Sequence, residues 1–94
     1  MKKTKVYESV WDAIEPDPVL AENLKLRSSL MSALISHIKG EGLTQAQAAK
    51  VFGVTQPRIS NLMHGRIDAF ALDMLVKMAT GVGLRVTLRV EKAA

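Results

Sequence analysis

The 94-residue chain has no cysteine. This excludes disulfide staples, thiolate nucleophiles and cysteine metal ligands. Aromatic residues make up only 4% of it, so a core must be assembled from Leu, Ile, Val, Ala and Met. No apolar run is long enough to span a bilayer, and the opening MKKTKVYESVW is too polar for a secretion signal. A soluble, cytoplasmic protein is the default expectation. Glu8, Asp12, Glu15, Asp17 and Glu22 gather near the start, where a solvated helix face accounts for them. No nucleophile, base and orienting group come together in a catalytic arrangement, so the chain reads as a non-enzyme. His37 and His64 lack acidic or cysteine companions, and neither a metal nor a cofactor is expected.

What is present bounds the fold. Hydrophobic residues form 48% of the chain, which places it among folded domains rather than disordered tails. The length suits one domain, residues 1–94, with a single core. The formal net charge of +4 favours an anionic partner only weakly. Its distribution says more. No acidic residue occurs between Glu41 and Asp68, while Lys50, Arg58 and Arg66 do, as a phosphate-facing surface requires. Three basic residues in such a window also arise easily by chance.

Periodicity divides the chain. A lysine-rich end, Met1–Lys5, precedes a short helix over Glu8–Ile14 with Val10, Trp11 and Ile14 on one side. Trp11 is read as a staple onto the core, with an exposed anchor for a protein partner as the alternative. Asp17 and Pro18 start a second helix running to about Lys39, with Leu20, Leu24, Met31, Leu34, Ile35 and Ile38 at helical spacing. Gly40 and Gly42 stop it. Beyond Gly65, Asp68 caps a last helix through Thr80, which offers Phe70, Leu72, Leu75, Met78 and Ala79 to the core. Met31, Met63, Met74 and Met78 read as core filler.

The stretch Thr44–Gly65 carries the functional signal. Thr44 caps a helix and Gln47 completes a capping box. Ala48, Val51 and Phe52 form an apolar stripe, and Ala49 is small enough for another helix to cross closely. Gly53 suits a left-handed stop. Thr55 caps a second helix whose first turn tolerates Pro57. Ile59, Leu62 and Met63 form its buried face, leaving Gln56, Pro57, Arg58, Asn61 and His64 outward. Amides and a guanidinium at a helix start suit major-groove base edges. The segment is a DNA-reading helix-turn-helix. Ser60 is read as either a DNA contact or a partner within its own helix, His64 as a helix-end residue favoured by the dipole, and His37 as structural.

After Gly83 the period becomes 2. Leu84, Val86, Leu88 and Val90 alternate with Arg85, Thr87 and Arg89, which predicts a strand over 84–90. A lone strand needs a partner. Val6 and Tyr7 alternate little, so the same strand of a second copy is the better candidate, giving a homodimer across a two-fold axis.

The motif resembles the Cro/repressor-type helix-turn-helix of the XRE family. The likeness rests on Leu43-Thr44-Gln45, Ala49, Gly53-Val54-Thr55-Gln56, Ile59-Ser60, Leu62 and Gly65. The wider chain is similar to HigA-like antitoxins of type II toxin–antitoxin pairs, through SVWDAI, ENLKLRSSLMSALISHIKGEGLTQAQAAKVFGV and FALDMLVKMATGVGLRVTLRV. With the resemblance, the fold expected is an all-α, five-helix repressor-like domain, and the C-terminal β-strand read from the alternation is used in dimerisation through Leu84, Val86, Leu88 and Val90. It implies that Gln45 touches phosphate, Gln56 faces a base edge and Pro57 makes apolar contact. Arg58 and Asn61 would reach base or backbone, and Arg66 phosphate. Thr44, Thr55 and Ser60 complete the DNA-facing set. The implied function is a repressor that binds a palindromic operator, regulates its own operon and neutralises a RelE-like mRNA-cleaving toxin. A stand-alone regulator without a toxin is the alternative. Two positions depart from the pattern. Pro57 replaces a polar reader, and Ala71 stands where Ser or Thr usually caps the next helix, which makes Asp68 the substitute cap.

Overall fold

Asp17 opens the first helix by accepting hydrogen bonds from the backbone N–H groups of Val19 (3.0 Å) and Leu20 (3.4 Å). Pro18 follows at the first helical position, where its missing N–H leaves no bond unmade. The computed structural model describes residues 14–92. Helix α1 spans Pro18–Gly40 and, at 23 residues, forms the backbone of the domain. It ends where Gly42 turns left-handed (φ 64°) and the Leu43 N–H donates back to the Ile38 carbonyl at 3.1 Å. Helix α2 is Gln45–Phe52, α3 is Gln56–Met63, and α4 is Leu72–Gly81, with a 3-10 turn at Ile67–Ala69 between α3 and α4.

Helix α1 packs along α4, and α2 packs across α3. The two pairs meet in a core where Leu34, Ile38, Ile59, Leu62, Phe70, Leu75 and Met78 are fully buried. Ala48 and Ala49 are buried with them, and their short side chains let neighbouring helices approach the α2 backbone. Met31 and Met78 are buried, while Met63 and Met74 pack at the core margin. Val51 departs from its expected place on the inner stripe of α2. It is 48% exposed, because Ala48, Ala49 and Phe52 already fill the buried arc of that two-turn helix.

The expected five-helix fold with a C-terminal β-strand is corrected. Among the described residues there are four α-helices and no β-strand. The expected helix over Glu8–Ile14, with Val10 and Trp11, and the Val6–Tyr7 pairing lie outside the described residues, except Ile14, which is exposed. At the other end, Gly83 turns left-handed (φ 80°) and the Leu84 N–H caps the Ala79 carbonyl at 3.0 Å. Leu84 packs against the core, but Val86, Leu88 and Val90 are 41%, 72% and 87% exposed. Arg85, Thr87 and Arg89 are exposed as well. A strand is made by a backbone ladder, and alternation of side chains without a facing edge does not form one.

The last helix also starts later than its sequence suggests. Asp68 lies inside the 3-10 turn and caps nothing. Ala71 is the N-cap of α4, with extended dihedrals and no side-chain bond. Phe70 thereby enters the core from an extended residue just before the helix, not from its first turn.

Candidate nucleic-acid interface

The helix-turn-helix is closed by local bonds. Thr44 Oγ1 accepts from the Gln47 N–H (3.1 Å), and Gln47 Oε1 accepts from the Thr44 N–H (2.9 Å). Both halves of the expected capping box are formed. Gly53 stops α2 at φ 69°, ψ 35°. The Val54 N–H reaches back to the Ala49 carbonyl (3.0 Å) and the Gly53 N–H to that of Lys50 (3.3 Å), which satisfies the last carbonyls of the helix. Thr55 then caps α3 by accepting from the Arg58 N–H at 3.3 Å.

These caps determine which polar groups remain available. The hydroxyl oxygens of Thr44 and Thr55 each accept a bond from their own helix, which does not use their O–H donors, and both residues are exposed. Gln45 is half-buried at the first position of α2, where a helix N–H has no intrahelical acceptor. Gln56 and Pro57 open α3 and are exposed. Pro57 has no N–H to offer, so the Gln56 amide and side chain are the donors at that end. Ser60 and Asn61 are half-buried one turn further on. Ser60 lies 3.5 Å from His64 Nδ1 through its hydroxyl, and its carbonyl lies 2.8 Å from the same nitrogen. His64 is the C-cap of α3.

Arg58 is not where the helical pattern puts it. The sequence places it outward, but the side chain folds back and is half-buried. Its Nη1 donates to the Ala69 carbonyl at 3.2 Å and meets Met74 Sδ at 2.8 Å. Its guanidinium carbon stands 5.7 Å from the centre of the Phe70 ring, within cation–π range. A long side chain in the first turn of α3 can reach either groove or turn, and here the carbonyl, sulfur and ring hold it to the turn.

Arg66 is exposed just past α3. Its N–H donates to the Asn61 carbonyl at 3.0 Å, and its own carbonyl accepts from Ala69 at 3.0 Å. Lys50 is exposed in the last turn of α2. The ion pair between described residues, Lys25 with Glu22 at 2.9 Å, lies outside this region. The surface therefore presents Gln56 at a helix start and two basic side chains flanking it in sequence, on a scaffold free of acids from residue 42 to residue 67. That combination suits a polyanion that also displays hydrogen-bonding edges.

His37 packs edge-on to Phe52, with ring centres 6.2 Å apart, a structural contact between α1 and α2. Among the described residues no helix is long and apolar enough to cross a membrane.

A family model described as a helix-turn-helix domain matches residues 15–91. No curated protein matches the chain.

Proposed function

The chain belongs to the helix-turn-helix domain family and is a DNA-binding regulator of transcription; from this we propose that it is a homodimeric repressor of the antitoxin type, acting on its own operon. The observation that carries the reading is the open start of α3. Gln56 and Pro57 are exposed there, directly after the Thr55 cap. Gln56 would take a base edge, for which adenine offers a matching donor–acceptor pair. Pro57 adds apolar contact. Asn61 and Ser60 reach the duplex further along α3, and Gln45, with the first amides of α2, meets phosphate. Arg66 takes a second phosphate beyond the helix.

Two-fold symmetry would place two such helices in successive major grooves about 34 Å apart. The Leu84–Val90 segment supplies apolar contact for the pair. Val86 and Leu88 line an open groove of about 430 Å³ with Leu26, Leu30, Leu72 and Val76. Footprinting on the promoter of its own gene tests the assignment. Symmetrical protection of two half-sites is expected, and protection of a single half-site, or of none, overturns it.

The antitoxin role is supported by the resemblance that runs from SVWDAI to TLRV, and its partner would be a RelE-like mRNA-cleaving toxin. Val19, in the first turn of α1, is 79% exposed and would lie on the face that meets the toxin. Co-purification of the full chain with the product of an adjacent gene for a small basic protein is the expected result. If no such product binds, the stand-alone regulator is the correct reading.

A further inference from the structure

Two arginines from different helices converge on the turn that follows α3. Arg27, on α1, donates through Nη1 to the carbonyls of Ile67 (3.3 Å) and Phe70 (3.2 Å). Its Nε is held by Asn23 Oδ1 at 2.6 Å, one turn back on the same helix. Arg58, on α3, donates to the carbonyl of Ala69 at 3.2 Å and covers the Phe70 ring. Three carbonyls of a four-residue segment are thus gripped by two guanidinium groups. Both side chains are half-buried, and the ion pair between described residues lies elsewhere. Their charges rest on neutral carbonyls, which hold them only while the geometry is kept.

Arg66 hangs between the end of α3 and this gripped turn. Its N–H is tied to Asn61 of α3, the helix that carries Arg58, and its carbonyl to Ala69 of the gripped turn, so its backbone bridges the reading helix and the segment that the two arginines hold. We propose that Arg27 and Arg58 are positioning residues for DNA binding. They do not touch DNA. They set the place of the 67–70 turn against α3, and so the reach of Arg66 relative to Gln56. The proposal rests on Arg66 being a phosphate contact. Lysine cannot substitute, because one ammonium does not serve Asn23 Oδ1 and the turn carbonyls together, as Nε and Nη1 of Arg27 do. Nor does it lay a planar guanidinium over the Phe70 ring while bonding Ala69, as Arg58 does.

The test uses the full chain and the charge-preserving variants R27K and R58K, together with R58A, R66A and the double variant R27K/R66A. Circular dichroism establishes that each variant is folded. R27K and R58K are each expected to weaken operator binding about tenfold, the scale of a lost charge-assisted hydrogen bond, and to speed hydrogen exchange at the Ala69 and Phe70 amides of the free protein. R66A is expected to lower the salt slope of binding by about one unit. R27K/R66A should bind no more weakly than R66A, because the contact that Arg27 positions is already gone. Additive losses in the double variant, or unchanged exchange in R27K and R58K, overturn the positioning role and leave Arg66 as a phosphate contact. An unchanged salt slope in R66A removes the phosphate contact itself, and the positioning role falls with it. If R58K binds as the parent does while R58A lowers the slope, Arg58 is itself a phosphate contact and the proposal is wrong.

Discussion

Thr44 and Gln47 cap each other, side chain to backbone in both directions, at 3.1 and 2.9 Å. One threonine therefore satisfies an amide of α2 and positions the glutamine that satisfies its own. Thr44→Ala removes the acceptor and is expected to cost about 1 kcal/mol of stability, while Thr44→Ser recovers most of it. Urea denaturation reads both. Equal stability of the alanine variant and the parent would show that the cap contributes nothing.

Gly53 is left-handed at φ 69°, and a side chain there would meet nothing within 4 Å. Space is not the constraint; the backbone is. Gly53→Ala is expected to destabilise the protein by about 1–2 kcal/mol, the cost of a left-handed L-residue. Gly53→Asn should lose less, since asparagine tolerates that region. A ranking with alanine above asparagine in thermal denaturation would contradict this account.

Gln56→Ala leaves the fold intact, because the residue is exposed and its side chain caps nothing. Specific affinity should fall by about 1–3 kcal/mol, with selection relaxed at one base pair. The measurement is a binding series over operators substituted at each position. Equal loss on operator and random DNA would make Gln56 a backbone contact.

Leu88 is 72% exposed, so Leu88→Asp should change monomer stability by no more than about 0.5 kcal/mol. Sedimentation should show the variant shifted from dimer to monomer, with a matching loss of operator affinity. A variant that sediments as the parent does would remove the Leu84–Val90 segment from the dimer contact.

The caps are the legible part of this fold. Asp17, Thr44, Gly53 and Thr55 act within a few residues of themselves, so their neighbours in sequence are also their partners in space. Ile59 and Leu62 are legible because burial follows helical period. Arg58 is not. Period assigns a Cα to a face, and a long side chain then chooses among partners 11 and 16 residues away. Arg27 is not legible either, since its acceptors lie 40 and 43 residues on, and no local pattern marks them. The start of α4 misleads because Asp68 is a good cap residue in the right neighbourhood, whereas burial of Phe70 sets the path of the chain there. Alternation over 84–90 records side-chain chemistry, and a ladder depends on an edge that the described chain does not offer.

The helix-turn-helix and its aim are built by different kinds of bond. From Thr44 to Arg66 the connecting hydrogen bonds span five residues or fewer, whereas the turn beyond is held by Arg27 from far upstream. The motif is portable and its alignment is not. Residues 44–65 grafted into another scaffold should keep their two helices and lose the register of Arg66 and the turn at 67–70. An exchange of DNA specificity between relatives would then require the far arginine to travel with the reading helix.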